Sequence, residues 1–183
     1  LVYDGRQHTS VLSVPDAKKR TILIRSATKS YAMPGWRIGW IIARSELISH
    51  FVKLLEWMTL YLNYVAQKAV AAVLSGSNSW LEGIREEFER KRDIICNRIN
   101  SIPDISVVTP QGGPFIFPNI SKLGLSSEKI SSRILREYGI PSTPGKAFYA
   151  NSYIRIPIGG TIDLVNKLGE RLETAVREIS QQD

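Results

Sequence analysis

The sequence predicts an α/β fold built in two parts. Two observations in the first part indicate strands: residues 21–24 are a short, β-branched apolar run bounded by polar residues, and residues 35–43 alternate between two faces. In the second part, segments with helical spacing alternate with short apolar runs. The predicted boundary follows Gly76, so that residues 1–76 form the first domain and residues 77–183 form the second.

The first part is predicted to contain two strands and then two helices. Residues 1–20 are expected to be loop and turns. The second strand is predicted to end at Arg44, and its alternation places Arg37 on one face of the sheet, where a charge is costly unless an anion meets it. Ser45 is the predicted N-cap of an amphipathic helix, and an alanine-rich helix follows at residues 65–74.

The second part is predicted to alternate helices with strands. Helical spacing and terminal residues predict helices at 80–102, 126–138 and 162–179, the second closed by Gly139 and the third capped by Thr161. Short apolar runs predict strands at 105–108, 114–117 and 153–158, the last of which carries a lone arginine, Arg155, and residues 141–145 are expected to be loop. The charged stretch 85–93 is predicted to be a solvated helix face with i,i+4 ion pairs.

The composition fits a folded protein, since 43% of the 183 residues are hydrophobic. No apolar run approaches the roughly 20 residues that a membrane span needs, and no signal peptide is visible. A single cysteine, Cys96, excludes an internal disulfide framework and suits a reducing compartment. We therefore expect a cytoplasmic protein with no membrane partner. His8 and His50 have no partner at metal-ligand spacing, so no metal site is expected.

The net charge of +7 suggests nucleic-acid binding at first sight. The basic residues, however, are spread along the chain and mixed with acidic ones, so no nucleic-acid partner is expected. The chain begins with Leu1 rather than methionine, and Tyr3-Asp4-Gly5 looks like the tail of a segment already under way. We expect the chain to be the later part of a longer polypeptide.

The candidate chemistry is concentrated just beyond the first strand. Ser26 and Lys29 lie three residues apart there, and Arg37 returns on the next predicted strand. A hydroxyl, an amine and a guanidinium that converge can bind a phosphate and a carbonyl together, with Lys29 as the nucleophile and Arg37 as a bidentate clamp. A phosphate-bearing aldehyde uses all three groups. In pyridoxal phosphate, the lysine amine condenses with the aldehyde and the ring acts as an electron sink.

Residues 26–40, SATKSYAMPGWRIGW, resemble the lysine motif of class I/II aminotransferases of fold type I, S-x-x-K followed by G-x-R-x-G. Three further segments resemble that family in the same order: Gln67-Lys68-Ala69, Gly112-Gly113-Pro114-Phe115, and Pro144-Gly145-x-x-Phe148 with Tyr153-Ile154-Arg155-Ile156. The resemblance covers nearly the whole chain and points to the aspartate, aromatic and alanine aminotransferase branch. It implies the C-terminal part of that α/β fold: a remnant of the large-domain sheet in residues 1–76 and an α+β small domain in residues 77–183.

The resemblance also implies roles for individual residues. Lys29 is similar to the Schiff-base lysine, which also moves the proton at the substrate α-carbon. Ser26 and Arg37 resemble the ligands of the cofactor phosphate, and Arg155 resembles the arginine that binds the substrate α-carboxylate. The implied activity is transfer of an amino group from an amino acid to a 2-oxo acid through a pyridoxal phosphate Schiff base on Lys29. A homodimer is expected, because active sites in this family lie at a dimer interface.

Several groups that the family uses lie upstream of its lysine, among them the aspartate that contacts the pyridine nitrogen. The resemblance places these groups before Leu1, and Asp4 is not expected to replace that aspartate. We therefore expect the 183-residue chain alone to be inactive or nearly so. The donor amino acid stays open, with aspartate, alanine and aromatic amino acids all possible.

Two other functions share parts of the pattern. Ser26 and Lys29 also satisfy the S-x-x-K of penicillin-recognising serine enzymes, but neither the S-D-N nor the K-T-G element of those enzymes occurs in the chain. Transcription regulators that resemble aminotransferases use the cofactor to sense an amine. The pair Pro34-Gly35 suits such regulators, whereas Met33 and Trp36 fit the catalytic branch better.

Overall fold

The structure is a computed structural model and describes residues 1–181. The chain divides into two compact units. The first comprises Leu1 with Gln7–Gly83, and the second comprises Val2–Arg6 with the chain from Ile84 onward. The last two residues of the predicted second domain lie outside the described residues.

The first unit is built from a two-stranded antiparallel sheet and three helices. Strand β1 (Leu23–Ser26) is followed directly by α1 (Ala27–Ser30), and β2 (Gly39–Ile42) then pairs with β1. Helices α2 (Ser45–Thr59) and α3 (Tyr64–Ser75) complete the unit. A small core joins the connection between the strands to α3, and its buried members are Ala27, Met33, Ile38, Ala66 and Val70.

Three predictions about the first unit are wrong. Strand β1 lies two residues further along the chain than predicted. The second strand begins only at Gly39, because Pro34–Trp36 forms a 3₁₀ turn and Arg37 adopts a left-handed backbone conformation with φ of 54°. Arg37 therefore lies on no strand face and is exposed, so the expected desolvation cost does not arise. Ser45 is the first residue of α2 and not its N-cap, which is Arg44.

Helix α2 contributes no buried residue within the described chain. Trp57 near its end and Tyr61 just beyond it are each 91% exposed. By contrast, α3 buries Ala66 and Val70, and it is N-capped by Asn63, whose side chain accepts a hydrogen bond from the amide of Ala66 at 3.0 Å. None of the helices in residues 1–181 is both long and apolar enough to cross a membrane.

The second unit is a three-stranded antiparallel sheet packed against helices. The strands are β3 (Phe115–Ile116), β4 (Thr143–Pro144) and β5 (Ile154–Pro157), with β5 in the centre. The helices are α4 (Trp80–Ser101), which belongs to this unit from Ile84 onward, α5 (Ser127–Tyr138) and α6 (Ile162–Ser180). Thr161 caps α6 through its side chain, and Gly139 closes α5 in a left-handed conformation, as predicted.

The core of the second unit is dominated by isoleucine. On β5, Ile154 and Ile156 are no more than 1% exposed and share one apolar cluster with residues of all three helices. Because side chains alternate along a strand, Arg155 lies on the opposite face of the sheet. That face carries aromatic side chains rather than aliphatic ones.

Three other predictions about the second unit are wrong. Residues 105–108 form no strand; only Ser106 makes an isolated bridge, to Asn119, although Ile105 and Val107 are buried. Strand β4 lies where a loop was predicted. The charged stretch in α4 is not wholly solvated, because Lys91 and Arg92 are buried.

Candidate functional site

The connection between β1 and β2 carries the three predicted cofactor ligands. Its centre is Ala27, which is fully buried. The amide of Ala27 donates to the carbonyl of Ile38 at 3.0 Å, and its own carbonyl accepts from the amides of Tyr31 and Met33 at 3.2 and 3.3 Å. These bonds fold the connection back on itself, so that its two ends lie together at the start of β2.

Ser26 and Lys29 share a single helical turn. Ser26 is both the last residue of β1 and the N-cap of α1, and its hydroxyl oxygen accepts a hydrogen bond from the amide of Thr28 at 3.1 Å. That bond uses the oxygen as an acceptor and leaves the hydroxyl hydrogen available to an anion. Lys29 follows three residues later, and its side chain is exposed.

Arg37 is returned to the end of β1 because Ser26 pairs with Gly39. A Cβ atom on Gly39 would lie 2.5 Å from the carbonyl oxygen of Arg25, so only glycine permits this close pairing. The guanidinium of Arg37 donates from Nη1 to the carbonyl of Pro34 at 3.1 Å. Within the part of the chain that the structure describes, no carboxylate pairs with Arg37.

Arg155 lies on β5 with a strand on each side. On β4, Thr143 is its partner in the register, and Nη2 of the arginine donates to Thr143 Oγ1 at 3.3 Å. The guanidinium carbon lies 4.6 Å from the ring centroid of Phe115 on β3 and 4.7 Å from that of Phe148. Among residues 1–181, no carboxylate pairs with Arg155. A half-buried guanidinium in these surroundings is a candidate anion site.

The turn that presents Phe148 depends on a glycine. Gly145 is buried at the start of the 3₁₀ turn Gly145–Phe148, and a Cβ there would lie 2.1 Å from the carbonyl oxygen of Ala150 and 2.3 Å from that of Tyr153. Ser127, fully buried at the start of α5, accepts from the amide of Lys146 at 3.2 Å. The turn is therefore fixed by the close packing at Gly145 and by the hydrogen bond from Lys146 to Ser127, and this turn determines the position of Phe148.

No role was predicted from the sequence for Thr143 or for the two phenylalanines around Arg155. The run at residues 114–117 did carry a usable signal. In a strand that pairs with β5, alternate residues share the face of Arg155, and those alternate residues are Phe115 and Phe117. Thr143 could not be found in this way, because β4 is only two residues long.

The burial of a second arginine in this unit, Arg92, was not predicted from the sequence. Arg92 is 2% exposed, and its Nη1 and Nη2 donate to the two carboxylate oxygens of Asp4 at 2.8 and 2.7 Å. Nε donates to Asp93 at 2.8 Å, and the ring of Tyr3 lies 4.8 Å from the guanidinium carbon. The hydrogen bond from Arg92 lowers the pKa of Asp4, and the bond to Asp4 raises the pKa of Arg92. Asp4 therefore serves as an ion-pair partner.

The remaining reactive groups offer no second centre. Burial raises the pKa of the Cys96 thiol to about 11, so that it stays protonated at neutral pH. No group of three or more His, Cys, Asp or Glu side chains that could hold a metal ion occurs within residues 1–181.

Comparison with known proteins identifies the family of this chain. The family model described as aminotransferase class I and II matches residues 1–172. The chain is 32% identical over 181 residues to an aspartate aminotransferase of Pyrococcus abyssi, covering 97% of this chain and 46% of that protein. It is 30% identical over 181 residues to aromatic-amino-acid aminotransferase 2 of Thermococcus litoralis, with coverage of 97% and 46%.

Solved structures agree with the sequence comparison. An aromatic aminotransferase from Pyrococcus horikoshii matches with a TM-score of 0.89 at 32% identity, covering 97% of this chain and 48% of that one. An aspartate aminotransferase from Rhizobium meliloti matches with a TM-score of 0.88 at 25% identity, covering 96% and 47%. The chain spans about half the length of the relatives it matches. These likenesses confirm the predicted fold class, and the chain belongs to the class I and II aminotransferase family.

Proposed function

We propose that the protein is a pyridoxal-phosphate-dependent aminotransferase that moves an amino group from an amino acid to a 2-oxo acid. The observation that carries the proposal is the closed connection between β1 and β2. Its hydrogen bonds hold Ser26 and Lys29 on one turn and return Arg37 to the same end of the sheet. Membership of the family supports the reaction class.

The donor set of this connection fits the cofactor. A primary amine combines with an aldehyde carbon, and a hydroxyl and a guanidinium bind a phosphate. Ser26 keeps a hydrogen to donate, and the hydrogen bond of Arg37 goes to a carbonyl, which leaves its other N–H groups for an anion. When bound, pyridoxal phosphate supplies an electron sink for the reaction at the substrate α-carbon.

Each residue then has a stated task. The amine of Lys29 would hold the cofactor through its aldehyde carbon, and the same amine would take and return the proton at the substrate α-carbon. Ser26 and Arg37 hold the phosphate. Arg155 binds the substrate α-carboxylate through two parallel N–H donors, a geometry that a lysine cannot supply.

The wider proposals follow from the family. We propose a cytoplasmic homodimer, in which residues 1–76 belong to the large cofactor-binding domain and residues 77–183 to the small domain. The donor amino acid is left open, because an arginine that binds the α-carboxylate recognises a group common to amino acids.

Reductive labelling tests the proposal on the chain as it exists. The protein is incubated with low concentrations of pyridoxal phosphate, reduced with borohydride and mapped by peptide mass spectrometry. The pyridoxyl label is expected on Lys29. Arg37→Ala is expected to lower labelling about tenfold, because a charge-assisted phosphate contact is lost. Arg44→Ala, which removes another exposed arginine of the same unit, serves as the control and should label like the wild type. A label spread evenly over the exposed lysines would contradict the proposal.

A further inference from the structure

We propose that Phe115 and Phe148 are positioning residues that fix the plane of the Arg155 guanidinium and thereby raise its affinity for a carboxylate. The inference rests on the proposed function, because it concerns the same anion site. It adds two residues that act through the arginine rather than on the substrate.

The register of the sheet places the first ring. Phe115 pairs with Pro157, and Ile116 pairs with Ile156. Alternation then puts Phe115 on the face of Arg155, while both isoleucines are buried on the opposite face. The second ring, Phe148, reaches the same guanidinium from the turn that follows β4.

Both rings lie against the guanidinium within the range of a cation–π contact, at 4.6 and 4.7 Å from its central carbon. A guanidinium in contact with two rings loses water where the rings cover it, while its N–H groups point outward in its own plane. Part of the ordering that a long arginine side chain needs is therefore complete before the ligand arrives, and binding is tighter for that reason.

The donors of Arg155 are largely uncommitted. A guanidinium has five N–H groups, and the only hydrogen bond that Arg155 makes within the described chain is the long one to Thr143. No carboxylate in residues 1–181 competes for the rest. A planar carboxylate can thus reach the N–H groups that remain.

Phe148 is itself held by neighbouring rings. The ring of Phe117 meets it edge to face, with centroids 5.9 Å apart and planes at 85°. Phe117 in turn stacks on Tyr153 at 5.0 Å and 15°. The ring beside Arg155 is therefore the last of three aromatic rings in contact, Tyr153, Phe117 and Phe148.

The test follows the Nε–Hε signal of Arg155 by NMR while sodium propionate is added at constant ionic strength. Wild type is expected to bind with a measurable dissociation constant, and Phe115→Leu and Phe148→Leu are each expected to raise that constant about three- to tenfold. Phe148→Tyr keeps a ring and should restore wild-type binding. The matched control is Phe88→Leu, since Phe88 also lies against a cation, Lys91 at 4.9 Å, elsewhere in the same unit.

A second readout separates positioning from general damage. The order parameter of Arg155 Nε, measured without propionate, should fall in both leucine variants, while the backbone signals of β5 stay unchanged. Wild-type affinity in both leucine variants would overturn the positioning role and leave the anion site intact. Absence of propionate binding at Arg155 in the wild type would overturn the anion site and the positioning role together.

Discussion

Arg92 and Arg155 belong to the same unit, and each lies against an aromatic ring, yet their surroundings differ in kind. Arg92 is almost fully buried and is saturated by carboxylates, with both oxygens of Asp4 in bidentate contact. Arg155 is half-buried and has two rings and one long hydrogen bond to a hydroxyl.

The difference separates a structural arginine from one that we propose to bind an anion. The bond between Arg92 and Asp4 ties the N-terminal segment to α4 across 88 positions of sequence. The same type of side chain without its carboxylate keeps its donors for an external anion. Burial alone would single out Arg92, whereas Arg155 combines partial burial and two ring contacts with the absence of a carboxylate partner within the described residues.

The largest effect on stability is expected at the glycine beside the Arg155 site. Gly145→Ala places a Cβ against two backbone carbonyl oxygens and should lower the free energy of unfolding by about 3 kcal/mol. It should also weaken propionate binding, because the turn carries Phe148. Chemical denaturation measures the first effect. Gly159→Ala, where a Cβ meets nothing within 4 Å, is the control and should change stability by about 0.5 kcal/mol or less.

Removal of the buried guanidinium comes next. Arg92→Met should lower the free energy of unfolding by about 2 kcal/mol, because it leaves Asp4 without its partner. This loss of stability is limited because the Asp4 side chain is 44% exposed, so that water can solvate its carboxylate when the guanidinium is removed. Urea unfolding compared with Arg90→Met, at an exposed position of the same helix, measures the difference. Equal stability of the two variants would refute the structural role of Arg92.

Acid should weaken the same ion pair. Since Arg92 holds the pKa of Asp4 below its ordinary value, the ionised carboxylate stabilises the folded state above pH about 4. This stabilisation is lost as the pH falls through the lowered pKa. The Asp4→Asn variant lacks this stabilisation at every pH, so its melting temperature should fall less than that of the wild type between pH 6 and pH 2.5. Glu86→Gln, exposed on α4, should follow the wild type; parallel curves for all three proteins would contradict the assignment.

The smallest change in stability is expected at Arg155. Arg155→Met removes a cation that has no carboxylate partner in the described chain, so the free energy of unfolding should change by only about 0.5 kcal/mol. Propionate binding, followed through neighbouring β5 amide signals, should weaken at least about tenfold. If Arg155→Met is strongly destabilised but still binds propionate, Arg155 has the structural role that we assign to Arg92, and the contrast between them is wrong.

Local signals in the sequence predicted much of the fold. Helical spacing and capping residues placed the main helices, and Thr161 and Gly139 act as predicted. The short apolar run at residues 153–158 predicted the strand that contains Arg155, and β5 lies within it. These features depend on residues a few positions apart, which a single sequence shows directly.

The failures have physical causes that local patterns do not contain. Arg37 adopts a left-handed conformation that alternation cannot reveal, so a strand was predicted through a turn. The burial of Arg92 depends on Asp4, far away in the sequence, so the charged stretch was interpreted as a solvated face. Residues 105–108 have the pattern of a strand but pair only through Ser106.

We propose that Ser26, Lys29 and Arg37 form one site for an aldehyde that bears a phosphate. The most direct measurement compares reductive labelling of the intact chain by pyridoxal phosphate and by pyridoxal, which lacks the phosphate, at equal low concentration. Because Ser26 and Arg37 are assigned to the phosphate, only pyridoxal phosphate should label Lys29 in preference to the other exposed lysines, and inorganic phosphate should reduce that preference. Equal labelling of Lys29 by both aldehydes would contradict the account.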